Sequence, residues 1–287
     1  MTVRVRVGAA FAAPAVLVLA GVVAFPLLYA LLLSFSSYTF LKPTLVPFVG
    51  LAHYLEAFRD PYFLNSVRLT ALYAAITVGL SLAVGLGIAV LLFQPAPGRA
   101  FFYAVISIPM LIAPVGVALL WKMILHPELG IVTYLLERAG LTAPDFFGDP
   151  RYALFTLALV DTWQQVSFVA LVLLAGLRSL PREPLEAALV DGASFPQRFF
   201  YVTLPLLRPV IGVVLILQTI AELRTYDLVY VLTRGGPGAA TDLLAYFIYR
   251  KAFLGLDLGL ASALAYLLLL FTLVLVVFFY RRIYREA

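Results

Sequence analysis

The 287-residue chain has no cysteine at all. Disulfides, thiolate nucleophiles and Cys-based metal sites are excluded, and the redox compartment leaves no mark on the sequence. Histidine is nearly as scarce. His53 and His126 are the whole supply, and both fall in segments expected outside the membrane. There is no G-x-x-x-x-G-K-[ST] phosphate loop, so the chain does not hydrolyse ATP by itself. Neither H-E-x-x-H nor G-x-S-x-G occurs. RGGPG at Arg234–Gly238 has the glycines of a phosphate cradle but no lysine, and it reads as a tight turn on the outer side. No catalytic residues and no metal ligands are expected.

Charge is also in short supply. Only 12% of residues are charged, against about 25% in a soluble domain. Hydrophobic residues make up 63% and the mean hydropathy is +1.03, which points to an integral membrane protein in contact with lipid. The net charge of +5 is spread along the chain in basic residues at the ends of apolar runs. That pattern does not suggest nucleic-acid binding.

What is present is a series of apolar runs. A spanning helix needs about 20 apolar residues. Six segments meet this, at about 11–33, 69–93, 100–121, 152–177, 204–225 and 258–280. A signal peptide is the alternative for the first, but its apolar core would be about 7–15 residues and this one is longer. The prediction is an all-α, polytopic membrane bundle of six helices, forming one domain over 1–287. Six spans put both termini on one side. Ten of the 20 Lys and Arg fall in the inner segments, which are about half as long as the outer ones, so both termini are placed in the cytoplasm.

Within the second span, Ser81/Gly85 and Ala83/Gly87 are small-xxx-small pairs that let helices approach closely. Pro109 and Pro114 should bend the third span. Backbone groups freed there need new partners, so the bend is a candidate border for a cavity.

One inner loop, 178–205, is out of character with its surroundings. Pro181 and Pro184 suit a first helical turn. Glu183 and Glu186 lie near that helix start, where carboxylates favour the dipole. Leu185, Ala188 and Leu189 share one face. Gly192 stands where a helix C-cap belongs. Ser194 to Gln197 has capping-box spacing for a second helix, and Pro205 marks entry into the fifth span. The pattern reads as helix, glycine turn, helix. By itself it fits a hairpin lying on lipid as well as a docking knob for a soluble partner.

The stretch EAALVDGASFPQRFFYVTLP resembles the signature loop of permease subunits in binding-protein-dependent ABC importers, with Glu186, Gly192 and Pro205 at matching spacing. YDLVYVLTRGGPGAATDLLAYFIYRKAF resembles the outer segment of sugar-importer permeases of the maltose and glycerol-phosphate types. The resemblance covers nearly the whole chain. One departure from the maltose-type subunit is the absence of extra N-terminal spans and of a large outer domain, so a compact version is expected. The resemblance also implies an assembly: a second related permease, two ATPase subunits and an external solute-binding protein, in a bacterial or archaeal cytoplasmic membrane. ATP and Mg would sit on the ATPases and no cofactor on this chain.

In that family the loop seats a short helix in a groove of the ATPase. The resemblance therefore assigns coupling to Glu186, Ala187, Ala188, Asp191, Gly192 and Pro205. Glu186 and Asp191 would pair with basic groups, the alanines would permit close approach, and Gly192 would set the angle between helices. A substrate path calls for polar residues within spans. The fourth span offers Asp161, Trp163, Gln164 and Gln165. The fifth offers Gln218, Glu222, Arg224, Tyr226 and Asp227. Hydrogen-bonding groups beside aromatic faces suit a sugar, and a glycerol-phosphate importer is the alternative within the class. An ion-driven secondary transporter is the alternative outside it, and it leaves the loop unexplained.

Overall fold

The computed structural model is all-α. It describes residues 2–95 and 97–284, with side chains over 11–95 and 97–282. The side chains of Arg4, Arg6 and Arg285, used above to orient the chain, lie outside the described residues.

The first span comprises α1 (Thr2–Leu19), a π-helical turn (Ala20–Ala24) and α2 (Phe25–Ser34). The short α3 (Ala52–Arg59) precedes α4 (Pro61–Phe93). Next come α5 (Arg99–Leu111), α6 (Pro114–Ile124), α7 (Ile131–Arg138) and α8 (Ala153–Ser179). Then follow α9 (Arg182–Val190), α10 (Phe195–Arg198) and, beyond a π-helical turn, α11 (Leu204–Leu223). The chain continues through α12 (Asp227–Leu232), α13 (Leu244–Tyr249) and α14 (Leu258–Tyr284). Five of these stretches are long and apolar enough to cross a membrane, and the pair α5 and α6 makes a sixth if taken as one bent span.

Three expected span bounds differ from the helix bounds. The second span is expected from 69. Its helix begins eight residues earlier, at Pro61, because proline suits a first turn and nothing breaks the helix before Phe93. Arg68 is carried on that helix. The third span is not continuous over 100–121. α5 and α6 meet at 99°, with Ile112 and Ala113 extended between them. Pro114 lacks an N–H and disfavours helical geometry at Ala113, so the helix stops and restarts there. The fifth span does not begin afresh at Pro205. Helix runs from Phe195 to Leu223, and the π-helical turn Phe199–Thr203 absorbs the proline.

The chain divides into two compact units, Met1–Pro61 with Ile248–Leu269, and Tyr62–Phe247 with Leu270–Ala287. Within the first unit, His53 is buried and donates through Nε2 to the Ser36 carbonyl at 3.0 Å. Lys251 Nζ lies 3.3 Å from Asp60 Oδ2, and the Tyr266 hydroxyl donates to the Leu27 carbonyl at 2.5 Å.

The second unit is built around α4, α8 and α11. Ala89 and Leu92 of α4, Leu173, Leu174 and Leu177 of α8, and Leu207 and Val214 of α11 form one buried cluster. In the same unit, His126 Nδ1 accepts the backbone N–H groups of Glu128 and Leu129, both at 3.2 Å. Ahead of α8, the half-buried Asp149 accepts Arg151 Nη2 at 2.6 Å, and this bond holds the Asp149 carboxyl below the usual carboxylate range.

Of the two small-residue pairs, only Ser81/Gly85 packs inward. Ala83 and Gly87 are exposed. A Cβ on Gly85 would lie 2.6 Å from Val169 Cγ1 and 3.2 Å from the Ala170 nitrogen, so α4 and α8 touch through a missing side chain. Gly85→Ala should therefore destabilise the fold by about 1–3 kcal/mol through overpacking. Gly87→Ala has open space around it and should be neutral or stabilising by up to about 1 kcal/mol. Denaturation midpoints of the two purified variants check this, and equal midpoints would remove the close approach at Gly85.

Candidate substrate cavity and coupling segment

The break between α5 and α6 opens onto a cavity of about 600 Å³, within the usual range for ligand pockets of about 300–1,000 Å³. One wall is the broken segment itself, Met110 to Pro114. A second wall is α8, with Asp161, Gln164, Gln165 and Phe168. The third is the end of α11 and the turn beyond it, with Ala221 and Arg224 to Leu228.

Backbone freed by the break finds a partner on α8. Gln164 is buried and its Nε2 donates to the Ile112 carbonyl at 2.7 Å. One helical turn holds the rest of the polar face. Gln165 follows Asp161 at i+4 and lines the same wall. The Tyr73 hydroxyl donates to Asp161 Oδ2 from α4. On the third wall, Arg224 caps α11, its N–H donating to the Ala221 carbonyl at 3.1 Å. Tyr226 stacks on Tyr230 with ring centroids 5.5 Å apart and on Tyr246 at 6.1 Å. Asp227 opens α12 and is exposed to the cavity.

Six of the nine residues assigned to a path by sequence therefore line one cavity: Asp161, Gln164, Gln165, Arg224, Tyr226 and Asp227. The other three do not line it. Trp163 packs edge-on against Trp121, with centroids 5.7 Å apart. Gln218 and Glu222 are buried on α11. Sequence reasoning missed Tyr73 and Thr225. Tyr73 had a usable signal: Ser66, Thr70, Tyr73, Thr77 and Ser81 form a buried hydroxyl stripe along an otherwise apolar helix.

The cavity thus offers carboxylate acceptors, amide and guanidinium donors, and the edge of an aromatic stack. These groups recognise hydroxyls and sugar-ring faces. Among the described residues no group of three or more His, Cys, Asp and Glu could hold a metal ion.

The segment after α8 is a capped double joint. α9 ends in a glycine turn: Gly192 has φ 76°, its N–H donates to the Leu189 carbonyl at 3.1 Å, and the Ala193 N–H donates to the Ala188 carbonyl at 3.0 Å. This is the Schellman arrangement, which needs a residue tolerant of positive φ. The next helix starts at once. Gln197 Oε1 accepts both the backbone N–H and the hydroxyl of Ser194, each at 2.8 Å. Glu186, Ala187, Asp191 and Gly192 are exposed, while Ala188 and Pro205 are half-buried. Leu189 and Val190, 57% and 87% exposed, present bare apolar surface beside the acids. The expected shared face of Leu185, Ala188 and Leu189 is only partly realised. Leu185 turns into a small apolar pocket with Phe195 and Phe199, and Leu189 points away.

Comparison with known proteins gives this arrangement its context. Residues 75–286 match the family model described as binding-protein-dependent transport system inner membrane component. A trehalose/maltose transport system permease of Thermococcus litoralis is 38% identical over 80% of this chain and 77% of its own length. A sulfoquinovosyl glycerol transport system permease of Agrobacterium fabrum is 38% identical over 88% of this chain and 82% of its own. The fold matches that in a crystal structure of a bacterial alginate ABC transporter in complex with an alginate pentasaccharide-bound periplasmic protein. There the TM-score is 0.84 at 22% identity, over 96% of this chain and 93% of that one. The chain therefore belongs to the inner membrane components, the permease subunits, of binding-protein-dependent transport systems.

Proposed function

We propose that this permease forms half of the path for a sugar, an oligosaccharide, disaccharide or related polyol, delivered by an external binding protein. The carrying observation is the cavity at the α5/α6 break, where Asp161, Gln165, Arg224 and Asp227 supply hydrogen bonds beside the Tyr226 stack. The relatives described above act on trehalose/maltose and on sulfoquinovosyl glycerol, and the structural neighbour on alginate, so hydroxyl-rich ligands recur among them. A second related permease supplies the other half of the path. Both termini and α9 face the cytoplasm of a bacterial or archaeal cell. There α9 docks on an ATPase subunit, which carries the ATP and Mg. Its exposed acids, Glu186 and Asp191, flank exposed apolar residues, a combination suited to a groove with basic groups at its rim.

Reconstitution of the permease pair with its ATPases and binding protein in proteoliposomes tests the reading. Uptake of trehalose or maltose should require both ATP and the binding protein. Uptake on an ion gradient without the ATPases would overturn it.

Two predictions follow from the geometry. Charge reversal, Glu186→Arg, should weaken ATPase docking by about 2–5 kcal/mol, the range for breaking an interfacial charge pair. Gly192→Pro should act in the same direction, because proline cannot adopt φ 76°. Co-purification of the ATPase and its stimulation by loaded binding protein read both variants, and membrane insertion should be unchanged. In the cavity, Gln165→Ala and Tyr226→Ala should each lower uptake by about fivefold, the factor for one hydrogen bond or stacking contact of about 1 kcal/mol. ATPase co-purification should persist, and wild-type uptake in both variants would take these residues off the path.

A further inference from the structure

Tyr73, Asp161 and Glu222 belong to three different spans, α4, α8 and α11, and all three are buried, with exposures of 0%, 3% and 0%. The Tyr73 hydroxyl donates to Asp161 Oδ2. On α11 the Thr225 hydroxyl donates to Glu222 Oε2 at 3.5 Å. Asp161 and Thr225 line the cavity, whereas Tyr73 and Glu222 do not. Two cavity-facing groups are thus held by two that never reach it.

Stability alone gives no reason for this arrangement. Well-packed apolar residues in place of buried ionic groups often leave a fold as stable or more so, and ionisable groups within a span are expensive. What the two bonds do provide is geometry. One fixes the rotamer of Asp161 from the α4 side, and the other orients Thr225 from Glu222 on α11.

We propose that Tyr73 and Glu222 are positioning residues for the cavity. They hold the Asp161 carboxyl and the Thr225 hydroxyl at one set spacing, so that together they engage hydroxyls of the bound sugar. This rests on the function proposed above. Support from behind a binding wall is what keeps such groups within the tolerance that recognition needs.

The test uses the whole complex in proteoliposomes, with trehalose and maltose supplied on the cognate binding protein. Sugar uptake and ATP hydrolysis are measured together. Tyr73→Phe and Glu222→Ala should cut uptake by about tenfold, the factor for one charge-assisted hydrogen bond, while stimulated ATPase stays within about twofold. ATP used per sugar therefore rises. Glu222→Gln keeps the shape and an oxygen that accepts the Thr225 hydroxyl, so it should restore coupling to near wild type.

A merely structural role would lower uptake and ATPase in parallel and would not be rescued by glutamine. That result, or unchanged uptake in Tyr73→Phe and Glu222→Ala, overturns the inference. Asp161→Ala separates the two levels. If it transports like wild type, the cavity reading itself has failed. If it uncouples while Tyr73→Phe and Glu222→Ala do not, only the positioning roles fall. A wild-type complex that takes up neither sugar overturns the carbohydrate reading and this inference with it.

Discussion

Inside a bilayer every backbone carbonyl and N–H must find a partner, because no water is there to serve. The bond from Gln164 to the Ile112 carbonyl, 2.7 Å long, meets that demand at the one place where the membrane-spanning backbone departs from helix at mid-span. Without it the break between α5 and α6 would leave an orphaned carbonyl in a low-dielectric interior, at a cost of about 1–3 kcal/mol. With it, two half-helices can meet at 99° and leave space between them. The cavity exists because the break exists, and Gln164, one of its own lining residues, keeps the break satisfied.

The cavity and the capped segment after α8 share the same helices. α8 carries Asp161 and Gln165 at the cavity and ends at Ser179, about 27 Å further along its axis, where the chain turns through Pro181 into α9. The helix from Phe195 to Leu223 returns over about 40 Å, from the capped joint to the cavity's third wall. Between the two ends, Leu173, Leu174 and Leu177 of α8 interlock with Leu207 and Val214 of α11. A displacement imposed at the glycine turn is therefore applied to two rods clamped side by side, whose other ends bear the cavity residues. A coil in place of either rod would absorb that displacement in its own dihedrals.

The sequence was most legible where the determinants are local. The Schellman turn at Gly192 and the cap formed by Ser194 and Gln197 depend on residues within a few positions of one another, and both were found where spacing placed them. So was the bend caused by Pro114. Legibility fell wherever helix phase or tertiary context decides. Gln218 and Glu222 sit on the apolar helix that Arg224 caps, and spacing alone could not say which face of α11 meets the cavity. Trp163 lies between Thr162 and Gln164, yet it turns toward Trp121. Pro205 read as a boundary because a π-helical turn that carries a helix past a proline leaves no mark in the residues themselves. Tyr73 was hidden by habit: a tyrosine in an apolar span reads as lipid-facing, and only its buried hydroxyl neighbours reveal the opposite.

The distribution of polar residues also follows the logic of lipid rather than of water. In a soluble protein the most buried helix is the most apolar. Here α8 carries Asp161, Thr162, Trp163, Gln164 and Gln165 in succession, and it is also the most enclosed of the spans, 67% buried over its most apolar stretch against 6% in the first. A carboxylate on a lipid-facing helix would cost about 2.5–3.5 kcal/mol or more at the bilayer centre. Buried on α8 and bonded by the Tyr73 hydroxyl, Asp161 escapes that exposure. The first span has no such groups to shelter and is free to face hydrocarbon. Polarity therefore marks the protein's inside in this chain, and Asp161 on its most enclosed helix is where that rule and the proposed path coincide.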